Sequence, residues 1–136
     1  SITGLSNGFQ ARNETATVTA SSVAVDDVEN IDLTAHKGYV LYGITADKAC
    51  RVRLYNSNAS RTADAGRLPQ EAPSANTGLI AEAVFVSGGT INFTPGVFGY
   101  NNESTPTTTV PVAVTNNGSS TQNIAISLTV LKIEQG

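Results

Sequence analysis

Methionine and tryptophan are absent, and cysteine and histidine occur once each. A single thiol, Cys50, closes no internal disulfide and forms no redox couple, so the fold has to stand on packing. Its flanking alternation reads it as a small buried hydrophobe. A single histidine, His36, removes most hydrolytic triads and most zinc sites unless subunits pool ligands. Charge is scarce too: 14% of the residues are Asp, Glu, Lys or Arg, against about 25% in an average domain. The 8 basic and 11 acidic residues leave a net charge of −3, the wrong sign for a chain that tracks phosphates. No apolar run reaches the roughly 18 residues that mark a membrane-spanning helix. Walker loop, dinucleotide fingerprint, HExxH and nucleophile elbow are all missing. The expectation is therefore a non-enzyme with no cofactor, no metal, no nucleic-acid partner and no membrane partner.

What is present points one way. The 136 residues include 17 Thr, 12 Ser and 12 Asn, types that suit turns and the exposed faces of strands and serve helix interiors poorly. Hydrophobic residues make up 40%, enough for a core in a single domain of this length. Residues 1–13 are polar around Ile2, Leu5 and Phe9 and read as an N-terminal arm. Residues 14–136 read as one all-β domain, an antiparallel β-sandwich or jelly-roll-like fold of about eight strands.

Alternation places the strands. Residues 14–25 form the first, bent at Ser21-Ser22. Residues 26–30 are a polar break, and Ile31 and Leu33 open a short second strand. The run from Tyr39 to Ala46 is apolar on both sides and reads as central. Asp47-Lys48 is expected to turn it into a hairpin with the next strand, where Cys50, Val52 and Leu54 point inward and Arg51, Arg53 and Tyr55 outward. Residues 57–77 lack strand character, with room for a helical turn or two between Ala59 and Arg67; Pro69 and Pro73 mark an ordered loop. Leu79 to Val86 reads as helix by its Leu, Ala and Glu or as strand by its Val-Phe-Val end. The Gly88-Gly89 turn favours a hairpin with the strand that Pro95-Gly96 ends. Residues 97–105 are then a loop carrying Tyr100, Asn101 and Asn102 as candidate contacts. Val110, Val112 and Val114 share one face of the next strand, and Ile124, Ile126, Leu128 and Val130 one face of the last.

Few clusters could carry chemistry. Asp26, Asp27, Glu29 and Asp32 match no EF-hand spacing and read as a solvated loop. Arg61, Asp64 and Arg67 bring both signs of charge together in a charge-poor chain. Either they surround an anion, or Asp64 pairs with Arg61, Arg67 or an Arg of the 51/53 strand and fixes the long loop; the second is expected. Four tyrosines could line a sugar groove, but Tyr39 and Tyr42 fall on opposite faces of a strand, so packing is the expectation for them.

The stretches Arg51-Val52-Arg53-Leu54-Tyr55, Arg61-Thr62-Ala63-Asp64-Ala65-Gly66-Arg67, Gly78-Leu79-Ile80-Ala81-Glu82 and Gly99-Tyr100-Asn101 together resemble small virion structural proteins of tailed bacteriophages, cyanophages among them. The resemblance spans roughly residues 38–133 and omits the first 37. It implies a β-sandwich on the outer capsid surface of a virion, a decoration or cement protein whose partner is the major capsid protein of the same particle. Self-association as a homotrimer is expected besides, because the strand from Tyr39 to Ala46 is apolar on both sides, more than a lone small domain needs. Attachment would fall to Ile2, Leu5 and Phe9 of the arm. The alternative within the same class is a tail or fibre module that binds a host surface glycan through Tyr55, Tyr100, Asn101 and Asn102 on loops.

Overall fold

Thr- and Val-rich alternation produces strands nearly throughout. The computed structural model describes residues 14–68, 71–72 and 78–134. The arm with Ile2, Leu5 and Phe9, and Pro69 and Pro73, lie outside the described residues. The eight strands are β1 (Glu14–Val23), β2 (Val28–Thr34), β3 (Gly38–Ala46), β4 (Cys50–Tyr55), β5 (Leu79–Phe85), β6 (Gly89–Tyr100), β7 (Thr109–Asn116) and β8 (Gln122–Glu134). One short helix, α1 (Asn58–Ala63), follows β4.

Two four-stranded antiparallel sheets form, in the orders β1-β8-β3-β6 and β2-β7-β4-β5. First strand pairs with last, second with seventh, third with sixth and fourth with fifth, alternately in one sheet and the other. That is a long antiparallel ribbon rolled into a sandwich, the jelly-roll winding. The inner faces meet in one core. Leu41, Ile44, Val52, Leu54, Val112, Val114, Ile124, Ile126, Leu128 and Val130 are all essentially without solvent contact. Burial of each such side chain contributes roughly 1.5–3 kcal/mol. Cys50 lies in the same core. Burial, with the nearby Asp47 charge adding to it, pushes its thiol pKa up to about 11.

The rolled topology corrects both expected hairpins. Residues 47–49 carry the chain from β3 in one sheet to β4 in the other, and the Gly88 turn carries β5 across to β6. Turn residues encode that a chain reverses; they do not encode whether it returns beside its neighbour or across the core from it. The two corners brace each other. The Asp47 carboxylate accepts the Ala125 amide at 2.9 Å. A Cβ on Gly88 would sit 2.9 Å from the Asp47 carbonyl oxygen, so this approach requires glycine.

Two further expectations change, at β2 and β6, while the strand favoured for Leu79–Phe85 and the bend at Ser21-Ser22 stand. β2 begins at Val28, inside the supposed polar break, because main-chain pairing of Val28, Glu29 and Asn30 with β7 needs no apolar side chain on an edge strand. β6 does not stop at Pro95-Gly96. It bulges between the Gly43–Asn92 and Leu41–Val97 pairs and runs on to Tyr100, so Phe98 and Tyr100 are strand residues, with rings stacked 6.0 Å apart. Leu79–Phe85 is strand, because pairing to β4 buries Ala81, Ala83 and Phe85 on one face. The bend in β1 falls between Ala20 and Val23, where the register shifts and Ser22 takes φ 52°.

Candidate functional site

The outward face of β4 positions the first cluster of polar groups. Arg51, Arg53 and Tyr55 do point away from the core, as alternation requires, yet all three are buried. The segment that begins with α1 folds back over them. Ser57 starts the helix: its extended backbone leaves the chain ready to turn, and its Oγ accepts the Ser60 amide at 3.1 Å. Asp64 ends it and drops its carboxylate onto β4.

There the charges interlock. Asp64 Oδ2 accepts the Tyr55 hydroxyl at 2.6 Å and Oδ1 accepts Arg67 Nε at 2.9 Å. Arg53 Nη1 donates to the Asp64 carbonyl at 3.2 Å and lies 3.9 Å from its carboxylate. Arg67 Nη2 reaches Glu82 Oε1 at 2.7 Å, and Glu82 Oε2 accepts Arg51 Nε at 2.6 Å. Burial by itself raises the Asp64 pKa. Hydrogen bonds from Arg67 and Tyr55, with the charges of Arg67 and Arg53, outweigh it and hold the carboxyl below its usual range. Glu82 behaves alike: burial raises its pKa, and Arg67 and Arg51 bring it down further than burial lifts it. Buried ion pairs of this kind add little net stability over an apolar replacement, but losing one partner strands the rest.

Arg61 takes a separate course. It leaves Asp64 and lies along the β2–β7 seam, where Nη1 donates to the Ile31 carbonyl at 2.9 Å, Asp32 Oδ1 at 3.0 Å and the Val112 carbonyl at 3.2 Å. Its Nη2 donates to Asn58 Oδ1 at 2.7 Å. One member of the acidic cluster, Asp32, is thereby drawn into a pair with α1. Among the described residues no group of three or more His, Cys, Asp or Glu is placed to hold a metal ion.

The third set of candidate residues divides. Asn101 is 7% exposed and is spent on its own loop. Its Nδ2 donates to Thr107 Oγ1 at 3.1 Å and the Thr109 carbonyl at 2.9 Å, while Oδ1 accepts the amides of Glu103 and Thr107. Tyr100 and Asn102 instead line a cleft of about 270 Å³ together with Asn56, Ser60 and Gly78. Glu103 ties this loop to the helix by accepting the Asn58 amide at 2.8 Å.

Sequence reasoning singled out Asp64 and Arg67 and missed Tyr55 and Glu82 as their partners. The signal for Tyr55 was available: it shares a strand face with Arg51 and Arg53. Glu82 could have been suspected as the lone charge inside an apolar strand. Asn56, Ser60 and Gly78 carried no signal, because nothing local says that residues 56 and 78 become neighbours. No protein-family model matches the chain, and a comparison with curated proteins finds no match either.

Proposed function

We propose that the chain is a non-enzymatic structural protein of a tailed-phage particle, a decoration protein that binds the outer capsid shell and stabilises it. One observation carries this reading. The stretches that resemble virion proteins supply the buried ionic lattice: Arg51, Arg53 and Tyr55 from the first, Asp64 and Arg67 from the second, Glu82 from the third. Their side chains bond mainly to one another, with Arg51 Nη2 and Arg53 Nε left over, so we read these stretches as a rigid scaffold. Attachment to the shell then falls to parts outside the pattern. The jelly roll supports the reading by analogy alone, since viral shell domains and lectins both use it and a fold does not dictate a function.

Attachment to the major capsid protein is assigned to residues 1–13. An extended arm can add a strand to an exposed shell strand, with Ile2, Leu5 and Phe9 filling separate pockets. Ordering such an arm costs about 1–2 kcal/mol per residue, and many copies on one shell offset a weak individual contact. A homotrimer is the assembly proposed on the particle. Its apolar contacts would come from exposed side chains such as Val84, Val86 and Ile133, since the outer side chains of β3 are already half-covered.

The test is co-sedimentation with bare capsids of the parent particle. The full chain is expected to bind to a fixed number of copies per shell and to raise the temperature at which the shell disrupts. Deletion of residues 2–10 should leave the melting temperature of the isolated protein nearly unchanged and abolish binding. Full occupancy by the truncated chain would remove the arm from the mechanism, and labelling of tails with no labelling of capsids would overturn the shell reading.

A further inference from the structure

We propose that the cleft between α1 and the loop after β6 binds one neutral sugar unit. Its five lining residues are Asn56, Ser60, Gly78, Tyr100 and Asn102. They offer two carboxamides, an alcohol and a phenol, and no charged side chain. A charged ligand would lose its hydration here without meeting a counter-charge. Asn56 and Ser60 are already bonded to each other, and Asn56 Nδ2 donates to the Tyr100 hydroxyl at 3.4 Å, so an apolar ligand would leave the Asn102 carboxamide and the Tyr100 hydroxyl proton without partners. A polyhydroxylated neutral ring meets both demands, because the exposed Asn102 carboxamide presents a donor and an acceptor to adjacent hydroxyls and the Tyr100 hydroxyl, which accepts from Asn56, keeps its own proton to donate.

The cleft also has an aromatic side. The Tyr100 ring is 42% exposed and is stacked on Phe98, itself 58% exposed, at an interplanar angle of 27°. Such a surface suits the apolar face of a sugar ring. At about 270 Å³ the space falls just under the roughly 300–1,000 Å³ of pockets for drug-sized ligands, so it takes one ring and not a chain of them.

The walls are held in place by the main chain. The Asn56 amide donates to the Gly78 carbonyl at 2.9 Å, and the Asn102 amide donates to the Asn56 carbonyl at 2.7 Å. Asn56 Oδ1 accepts the Ser60 hydroxyl at 3.0 Å. Gly78 has φ +75°, and a Cβ there would strike Ser60 Oγ and Asn56 Oδ1, so this approach closes only with glycine. A site assembled before the ligand arrives loses less freedom on binding. The side chain of Asn102 is exposed and is left available at the rim.

This inference stands apart from shell attachment. The full-length protein is titrated with free glucose, galactose, mannose and N-acetylglucosamine under saturation-transfer NMR, and is applied to the same sugars immobilised as terminal residues of glycans. At least one sugar is expected to bind with a dissociation constant on the order of 1 mM. Tyr100→Ala and Asn102→Ala should each weaken it at least tenfold with the circular dichroism spectrum unchanged. Val25→Ala, at an exposed position between β1 and β2 that lines no part of the cleft, should leave it alone. Binding of the free sugar identifies a monosaccharide site; binding only of the immobilised glycans, lost in both variants, identifies a site for the end of a glycan chain. Absence of binding in both formats, or binding that both variants leave intact, overturns the proposal. Sugar binding that survives deletion of residues 2–10 separates this site from the shell-binding arm.

Discussion

The Tyr55 hydroxyl donates to Asp64 Oδ2 across 2.6 Å, although the two residues belong to a strand and to the end of the helix that follows it. The bond joins the scaffold to the segment laid over it. The same carboxylate takes Arg67, and through Arg67 the contact extends to Glu82 on β5. A segment without strand character is thus held by side-chain bonds where ladder bonds are lacking.

Asp64→Ala should destabilise the fold by about 3–5 kcal/mol, because it leaves the Tyr55 hydroxyl and two guanidinium groups without their carboxylate in a buried place. Tyr55→Phe removes one neutral donor to the same group and should cost less, about 1.5–3 kcal/mol. Urea denaturation of both single variants and the double variant gives the coupling. The two effects should fall well short of additive, and limited proteolysis of Asp64→Ala should open sites within residues 57–77. Additive losses with unchanged cleavage would remove the Asp64 anchor.

The lattice sets a pH dependence. The folded-state pKa values of Asp64 and Glu82 lie below the ordinary carboxyl range. Their contribution is therefore complete above the unfolded values, near pH 4, and is lost as pH falls through the lower folded values. Tyr55 works in the other direction. Burial first, and then its bond to Asp64, push the phenol pKa up to about 12. Its contribution is complete below the unfolded value near 10 and is lost as pH rises toward 12. Unfolding free energy measured from pH 2 to 12 should fall at both ends. Tyr55→Phe should make the alkaline limb shallower without abolishing it, since burial also raises the pKa values of Cys50 and Tyr39, and Glu82→Gln should do the same to the acid limb, where Asp64 remains.

Asn116→Ala should cost about 2–3 kcal/mol, more than a substitution in an ordinary turn, because it strands buried polar groups. Asn116 is fully buried; its Nδ2 donates to the Val23 carbonyl at 2.8 Å and the Ser120 carbonyl at 2.9 Å, and its Oδ1 accepts the Gly118 amide at 2.8 Å. It ties the end of β1 to the corner between β7 and β8. Asn117→Ala, one residue on and exposed, is the comparison. Equal thermal melting shifts for the two would show that the corner does not depend on Asn116.

Strand identity was legible wherever alternation was strong. Ile124, Ile126, Leu128 and Val130 were expected on one face, and all four are in the core. The period of two in a strand is a local property, carried by neighbours two residues apart. The same holds for Cys50, Val52 and Leu54, and for the helical turn between Ala59 and Arg67, of which α1 takes the first part. A charged pair three residues apart, Asp64 and Arg67, was also within reach of local reading.

The partners were a matter of tertiary structure. Whether β3 turns into β4 as a hairpin or crosses to the opposite sheet depends on β8, which fills the place beside β3 from the far end of the chain. Arg61 could have taken Asp64, but the β2–β7 seam brings Asp32 and two carbonyl oxygens within its reach. Asn101 and Asn102 are adjacent and chemically identical, yet one is consumed inside its loop and the other stands at a cleft. Composition and alternation determined that this chain would be a sandwich of strands around a core of Val, Ile and Leu, because burial of one face per strand follows from sequence neighbours alone. The rolling of the ribbon decided which polar groups would meet, because the contacts that satisfy a buried charge join residues far apart in the chain.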